Sequence, residues 1–409
     1  MRARSKGLAV VCLLLALGAL LAGCGGSSDG GSEGEDVTAT KGDEGLISWP
    51  YFGRVPERTH YLPAEGELLD PPLREAWQIN THALIEFPPA IHEGVAYVIN
   101  KYGNGKAVRL HDRKVLWELN IRPSNKGKPN FVTAPVYYED KVFGAFLTGH
   151  LAAGDAATGR KVWVRDLGAH LESSPMAAEG RLYLGTDSKQ VVALRASDGR
   201  VEWRFDSPGA IKASPSYHDG RLYVADYESS LFALDADSGK TLWRTNTSKQ
   251  PPFGRGGFFS SPGIAFGKVY AARDDGTVFA LDEKTGKVEW SFDTGGQVYG
   301  SPALAEVPGT PPTVYIGSEN GRFFALDAAT GKVRWSYDVG GPVPGTATVI
   351  DHTVYTSSFK TGKTIGIDAV TKKKTFEMKQ AGYTPVVSDG RKLFLVGYYV
   401  LVGLEPGKR

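Results

Sequence analysis

Sulfur is scarce in this chain. Of 409 residues, two are Cys and three are Met. Cys12 lies within an apolar N-terminal run and Cys24 closes it. Once that run is removed, no disulfide is possible. Neither sign of charge is in excess: 47 Lys and Arg face 45 Asp and Glu, a formal +2. Loss of Arg2, Arg4 and Lys6 with the leading segment takes that +2 to −1. A nucleic-acid partner therefore lacks its usual electrostatic support. The eight His are scattered and show no His-x-x-x-His or Cys–His ligand spacing. His82 and His170 fall near the start of inner strands, and an ordinary hydrogen-bonded role suits both. No Gly-x-Ser-x-Gly elbow occurs. Arg255-Gly256-Gly257 and Thr294-Gly295-Gly296 lack the phosphate-loop pattern and read as loop glycines. No long helical period is present, which with so few Met fits an all-β chain.

The one long apolar run, residues 8–21, is too short to span a bilayer comfortably and follows a basic start. Residues 1–23 read as a signal peptide. Leu21-Ala22-Gly23-Cys24 resembles a bacterial lipobox, which implies that Cys24 becomes the lipidated first residue. Residues 24–46 then form a flexible tether rich in Gly, Ser and acids. Its coil dimension is about 25 Å. The protein is expected to be exported and held by lipid on a bacterial membrane, facing the periplasm or the cell exterior.

What remains is a repeat. The stretch 214–243 opens with Ser214-Pro215 and continues through Leu222-Tyr223-Val224 and Leu231-Phe232-Ala233-Leu234-Asp235. It then passes Ser238-Gly239-Lys240 to Trp243. The opening Pro recurs at Pro89, Pro135, Pro175, Pro262, Pro302 and Pro385, with Ala347 in the seventh place. The closing aromatic recurs as Trp117, Trp163, Trp203, Trp290, Trp335 and Phe376. The period is about 40 to 47 residues, eight units in all, within the propeller range. Period-two alternation bounded by Gly, Pro and Asp marks four strands per unit, here A to D. The Trp offers apolar surface that one sheet cannot cover, so it should bury against the neighbouring sheet. Radial packing of such sheets makes an all-β, eight-bladed β-propeller with four-stranded antiparallel blades. The eighth unit ends without an aromatic, and the segment around Trp77 reads as its missing strand, closing the ring. The propeller occupies residues 47–407, with 47–73 a leader whose Trp49, Tyr51 and Phe52 pack on it.

The in-phase Ala-Leu-Asp-x-x-Thr-Gly-Lys-x-x-Trp copies resemble the PQQ-like (quinoprotein-type) eight-bladed propeller family over residues 49–407. With the lipobox and this length, the resemblance extends to the BamB-type lipoproteins of the outer-membrane assembly machine. It implies a non-catalytic scaffold that holds envelope or membrane proteins, with no cofactor. The quinoprotein alcohol and glucose dehydrogenases hold PQQ and a calcium ion on related propellers. Here there is no Cys pair and no matching Glu, Asn and Asp set, so PQQ binding is not expected. Asp274-Asp275-Gly276 reads as a solvated turn rather than a metal site. Two alternatives remain open: a small-molecule or glycan binder using the channel mouth, and a PQQ-dependent oxidoreductase.

Alternating strand directions place the A–B and C–D turns on one face and the B–C and D–A loops on the other. The C–D turns are nearly uniform, whereas the other face is diverse. It holds Tyr102, Phe146, Tyr227, Phe359, Tyr398 and Tyr399 and the long D–A loops 123–131 and 248–259. Aromatic and Arg anchors in loops on a rigid frame suit protein recognition. The candidate partner-binding residues are Tyr227, Phe253, Arg255, Phe258 and Phe259.

Overall fold

The computed structural model describes residues 46–407 except 64–68, 86, 121–132, 251–253, 255, 385 and 398. Cys24, the signal peptide and the tether up to residue 45 lie outside the described residues. So do Phe253, Arg255, Tyr398 and the loop 123–131. The described residues contain no α-helix and build eight sheets. Seven blades follow one another at 90–120, 136–166, 176–206, 216–246, 263–293, 303–338 and 348–378. The eighth combines Val386–Ser388, Leu393–Val396 and Val400–Pro406 with Leu73–Asn80. In that sheet Trp77 lies opposite Gly403 and against Phe394.

The repeat motif reflects one geometry used many times. In the fourth blade the Asp235 carboxylate accepts from the Ser238 amide and hydroxyl, and the Gly239 N–H donates to the Asp235 carbonyl. The turn ends in a bulge between Ala233 and Leu234 that re-aims Trp243. The same register shift recurs beside Ala107, Ala193, Ala280 and Ala325. The indoles of Trp117, Trp163, Trp203, Trp243 and Trp290 then reach the turn of the next blade. The Nε1–H of Trp203 donates to Ala236 O at 3.0 Å, and that of Trp243 to Glu283 O at 3.0 Å. Gly239 is glycine for two reasons. Its φ is +69°, and an added β-carbon would sit 2.7 Å from the Trp203 ring. The neighbouring-sheet contact expected of the Trp is therefore present. Trp243 and Trp290 are buried, whereas Trp117, Trp163, Trp203 and Trp335 are half-buried.

The Ser of each Ser-Pro opening ties blades together at the hub. The Ala134, Ser174, Ser214 and Ser261 amides donate to the Ser174, Ser214, Ser261 and Ser301 hydroxyls, each in the following blade. The Ser301 amide continues the series to the Thr346 hydroxyl at 2.8 Å. These residues are buried, so the bonds satisfy donors that water cannot reach.

The leader, 46–63, threads the hub. Ile47 N–H donates to Asp389 O in the eighth blade, and Trp49 pairs with Ile91 in the first. Pro50, Pro56, Glu57, Thr59 and His60 carbonyls accept from Tyr137, Tyr217, Ile264, Leu304 and Val349. Tyr61–Leu62 runs parallel to Thr348–Ile350 as a fifth strand of the seventh blade. Among the described residues, only the third blade has no backbone hydrogen bond to the leader, and there the Arg58 side chain takes over. Eight innermost strands would otherwise offer open edges to the channel, and one segment covers them. Trp49 and Phe52 are buried, as expected of a leader that packs its aromatics inward, and Tyr51 is half-buried.

His60 is also fully buried, with neither ring nitrogen hydrogen-bonded. Burial, and then the nearby Arg58 charge, lower its pKa to about 3. An unfolded His titrates near 6.5. Between those values the unfolded chain binds a proton that the folded chain does not, so acid favours unfolding. The stability at stake is full above about pH 6.5 and is lost as the pH falls toward 3. Denaturant melts from pH 7 to 4 should show this loss, and His60→Leu should flatten it. Identical pH profiles for the two proteins would mean that His60 titrates normally when folded.

Candidate functional site

The leader seals the channel part-way, and the B–C and D–A loops surround what is left. The result is a cavity of about 450 Å³ whose lining includes Phe52 of the leader. Phe87, Tyr227, Phe259, Tyr299 and Tyr383 supply further aromatic wall. Phe52 meets Phe87 edge-on at 6.0 Å, and Phe259 meets Tyr299 the same way at 6.1 Å. Between the rings the hub hydroxyls of Ser214, Ser261, Ser301, Thr346 and Thr384 line the wall.

Three charged side chains line it too. Lys212 donates to Glu172 at 2.8 Å and lies 5.2 Å from the Tyr227 ring centroid. Burial alone would push the Lys212 ammonium down, but the Glu172 bond together with the Glu172 and Asp187 charges holds the ammonium above its ordinary value. Glu319 stands apart. Its Oε1 is buried and has no hydrogen-bond partner. Burial is the one influence on its carboxyl, and it raises the pKa. At the rim, burial also raises the Asp187 carboxyl, and His170 approaches to 4.0 Å from it. His170 and His82 are both exposed.

The expected partner-binding residues divide. Tyr227 is half-buried and Phe259 is 40% exposed, and both line the cavity mouth. Phe258 is 0% exposed and packs edge-on against Phe279 in the core between the fourth and fifth blades. A surface anchor cannot be buried, so Phe258 is corrected to a core residue. Phe146, on the same face, is likewise fully buried. Asp275 is no free acidic turn. It binds the buried Arg273 at 2.6 Å, and burial raises its neighbour Asp274.

Sequence reasoning missed Glu172, Lys212, Tyr299 and Glu319. The first two and Tyr299 stand two places before the hub Ser of their blades, as Phe259 does. That column varies from unit to unit while its flanks repeat, a signal that aligning the units would have exposed.

On the opposite face, Asp70, Asp351 and His352 bring donor atoms within 4.8 Å of one another. His352 Nδ1 lies 2.6 Å from Asp351, and its Nε2 lies 3.4 Å from Asp368. Burial opposes the imidazolium, but the Asp351 bond and the neighbouring carboxylates prevail and raise its pKa. Carboxylates on both sides of the imidazole, which favour its charged form, account for the cluster as a network of His–carboxylate contacts.

Fold and hub define a PQQ-like eight-bladed propeller with a pocket at its hub. The family described as "Outer membrane protein assembly factor BamB" matches residues 147–257, 233–308 and 251–400, more than half of the chain, and the chain belongs to that family. BamB from Moraxella catarrhalis superposes with a TM-score of 0.65 at 16% identity, covering 81% of this chain and 99% of that one. Quinohemoprotein alcohol dehydrogenase from Comamonas testosteroni superposes with a TM-score of 0.72 at 16% identity, covering 89% and 81%. By sequence, the dehydrogenase subunit of a quinone alcohol dehydrogenase from Komagataeibacter europaeus is 30% identical over 184 residues, 40% of this chain. The chain spans a quarter of that relative's length.

Proposed function

We propose that this chain is a membrane-tethered, extracytoplasmic scaffold without catalytic activity, which holds envelope proteins on the face around the channel mouth. Membership of the BamB family carries the reading. The distribution of exposed aromatics supports it. Phe259 is 40% and Tyr399 is 54% exposed, and both belong to the loops of that face. Large aromatics displayed from a rigid frame are the usual anchors of protein interfaces. Lipid on Cys24 would keep this face near a membrane through the tether.

The dehydrogenase relatives raise a different reading, and the cavity's charges count against it. PQQ carries three carboxylates, which require cations to receive them. Among the described residues the one cation lining the cavity, Lys212, is already bonded to Glu172, and Glu319 adds negative charge. The described residues of the mouth do not fit that group. The Asp70 cluster lies on the other face and offers no calcium site beside a quinone there.

Photo-cross-linking in intact cells tests the proposal. A cross-linker placed at position 259 or 399 should capture an outer-membrane assembly protein, identified by mass spectrometry. One at position 242, exposed on an outer strand, should not. Equal capture from all three positions, or none from the mouth, would refute the assignment of the face.

A further inference from the structure

We infer that the channel mouth binds a small organic cation, whose ammonium meets Glu319 while its apolar body rests on the aromatic wall. Three observations converge on this chemistry. Six aromatic rings enclose the cavity, and a ring face attracts a cation through its quadrupole. Lys212 over Tyr227 already shows an ammonium in that relation within the same wall. The second observation is Glu319. A carboxylate at the edge of an apolar cavity is costly unless something compensates it. No ion pair or hydrogen bond to this carboxyl occurs among the described residues, and its Oε1 is out of reach of water. A bound cation would provide the missing partner.

The third observation is the balance of the other charges. Glu172 and Lys212 neutralise each other, so Glu319 decides the sign of the cavity. Among the described residues, an anion would meet Glu319 with no unpaired cation to offset it. A neutral sugar could stack on the rings but would leave the carboxylate uncompensated. The cavity's volume of about 450 Å³ suits a small molecule. This inference is independent of the scaffold proposal, since the ligand sits inside the mouth and partners would sit around it.

The test uses the full chain and two probes of equal shape, choline and its neutral isostere 3,3-dimethylbutan-1-ol. Saturation-transfer NMR reads binding, and calorimetry reads affinity. Choline should bind at least about tenfold more tightly than the isostere, the signature of a charge term rather than of apolar burial. Glu319→Gln should remove that preference. The same variant should melt no lower than the parent, because one oxygen of the carboxyl it replaces is buried without a partner. Tyr299→Leu keeps the carboxylate and should weaken choline about fivefold, the usual size of a single ring contact. Choline affinity should fall as the pH drops through the elevated Glu319 pKa. No choline binding, equal binding of the two probes, or a Glu319→Gln variant that keeps its preference would each overturn the assignment. A failure here would leave the cross-linking pattern at positions 259 and 399 untouched.

Discussion

Arg58→Ala should lower the free energy of unfolding by about 3–5 kcal/mol. The side chain is fully buried at the hub. Its Nε–H donates to Pro215 O at 2.6 Å and an Nη1–H to Phe52 O at 2.5 Å. The second Nη group reaches Pro175 O at 3.3 Å and Ser174 O at 3.4 Å. No carboxylate pairs with it among these contacts, so carbonyl dipoles alone hold the charge. Burial pushes the guanidinium down to about 9, which still leaves it charged at neutral pH. Truncation would empty the hub and strand several carbonyls where water cannot reach, which makes the effect large. Arg58→Lys keeps the charge but cannot reach four carbonyls in two directions, and should recover only part of the loss. Urea denaturation of the three proteins gives the comparison. A cost below about 1 kcal/mol for Arg58→Ala would mean that the hub relaxes around the gap.

The second large effect is expected at Trp243, where alanine should cost about 3–5 kcal/mol. The indole is 7% exposed and joins the core shared by the fourth and fifth blades. It packs on Tyr223 with centroids 6.1 Å apart and donates to Glu283 O of the next blade. A β-carbon on Gly286 would lie 2.5 Å from its ring, so the turn of the fifth blade rests directly on it. Trp203 makes the same bond and the same glycine contact but is half-buried. Trp203→Ala should therefore cost clearly less, about half as much. Equal losses at the two sites would show that burial does not set the contribution of the motif.

These positions also mark what the sequence could disclose. The Trp, the turn Asp and the turn Gly repeat because one contact between blades recurs, and recurrence is visible without coordinates. The eight units and their strands were readable for that reason. The leader was not. It occurs once, has no period, and places Arg58 and His60 where composition suggests solvent. Its aromatics suggested packing, but nothing in residues 46–63 spells out a path across the hub. The mouth was half legible. Its face followed from strand alternation, and Tyr227 and Phe259 were found there. Phe258 was misplaced because irregular backbone has no alternation to tell inward from outward. Its N–H bond to Asp226 O fixes the loop so that this ring turns into the core while its neighbour stays out. Glu319 was missed because a single acid in a B–C loop looks like any solvated one. Only its lack of a partner sets it apart, and that is a property of the assembled hub.

A linear array of repeats loses its end units first, each held by a single neighbour. Here the inner thread is bonded to blades on every side, so peeling any one of them away tugs on a hoop that grips the rest. Partial opening then gains little chain freedom for the bonds it breaks. The protein should come apart as a whole or not at all, which would suit the proposed scaffold, whose loops would keep fixed relative positions while partners pull on it.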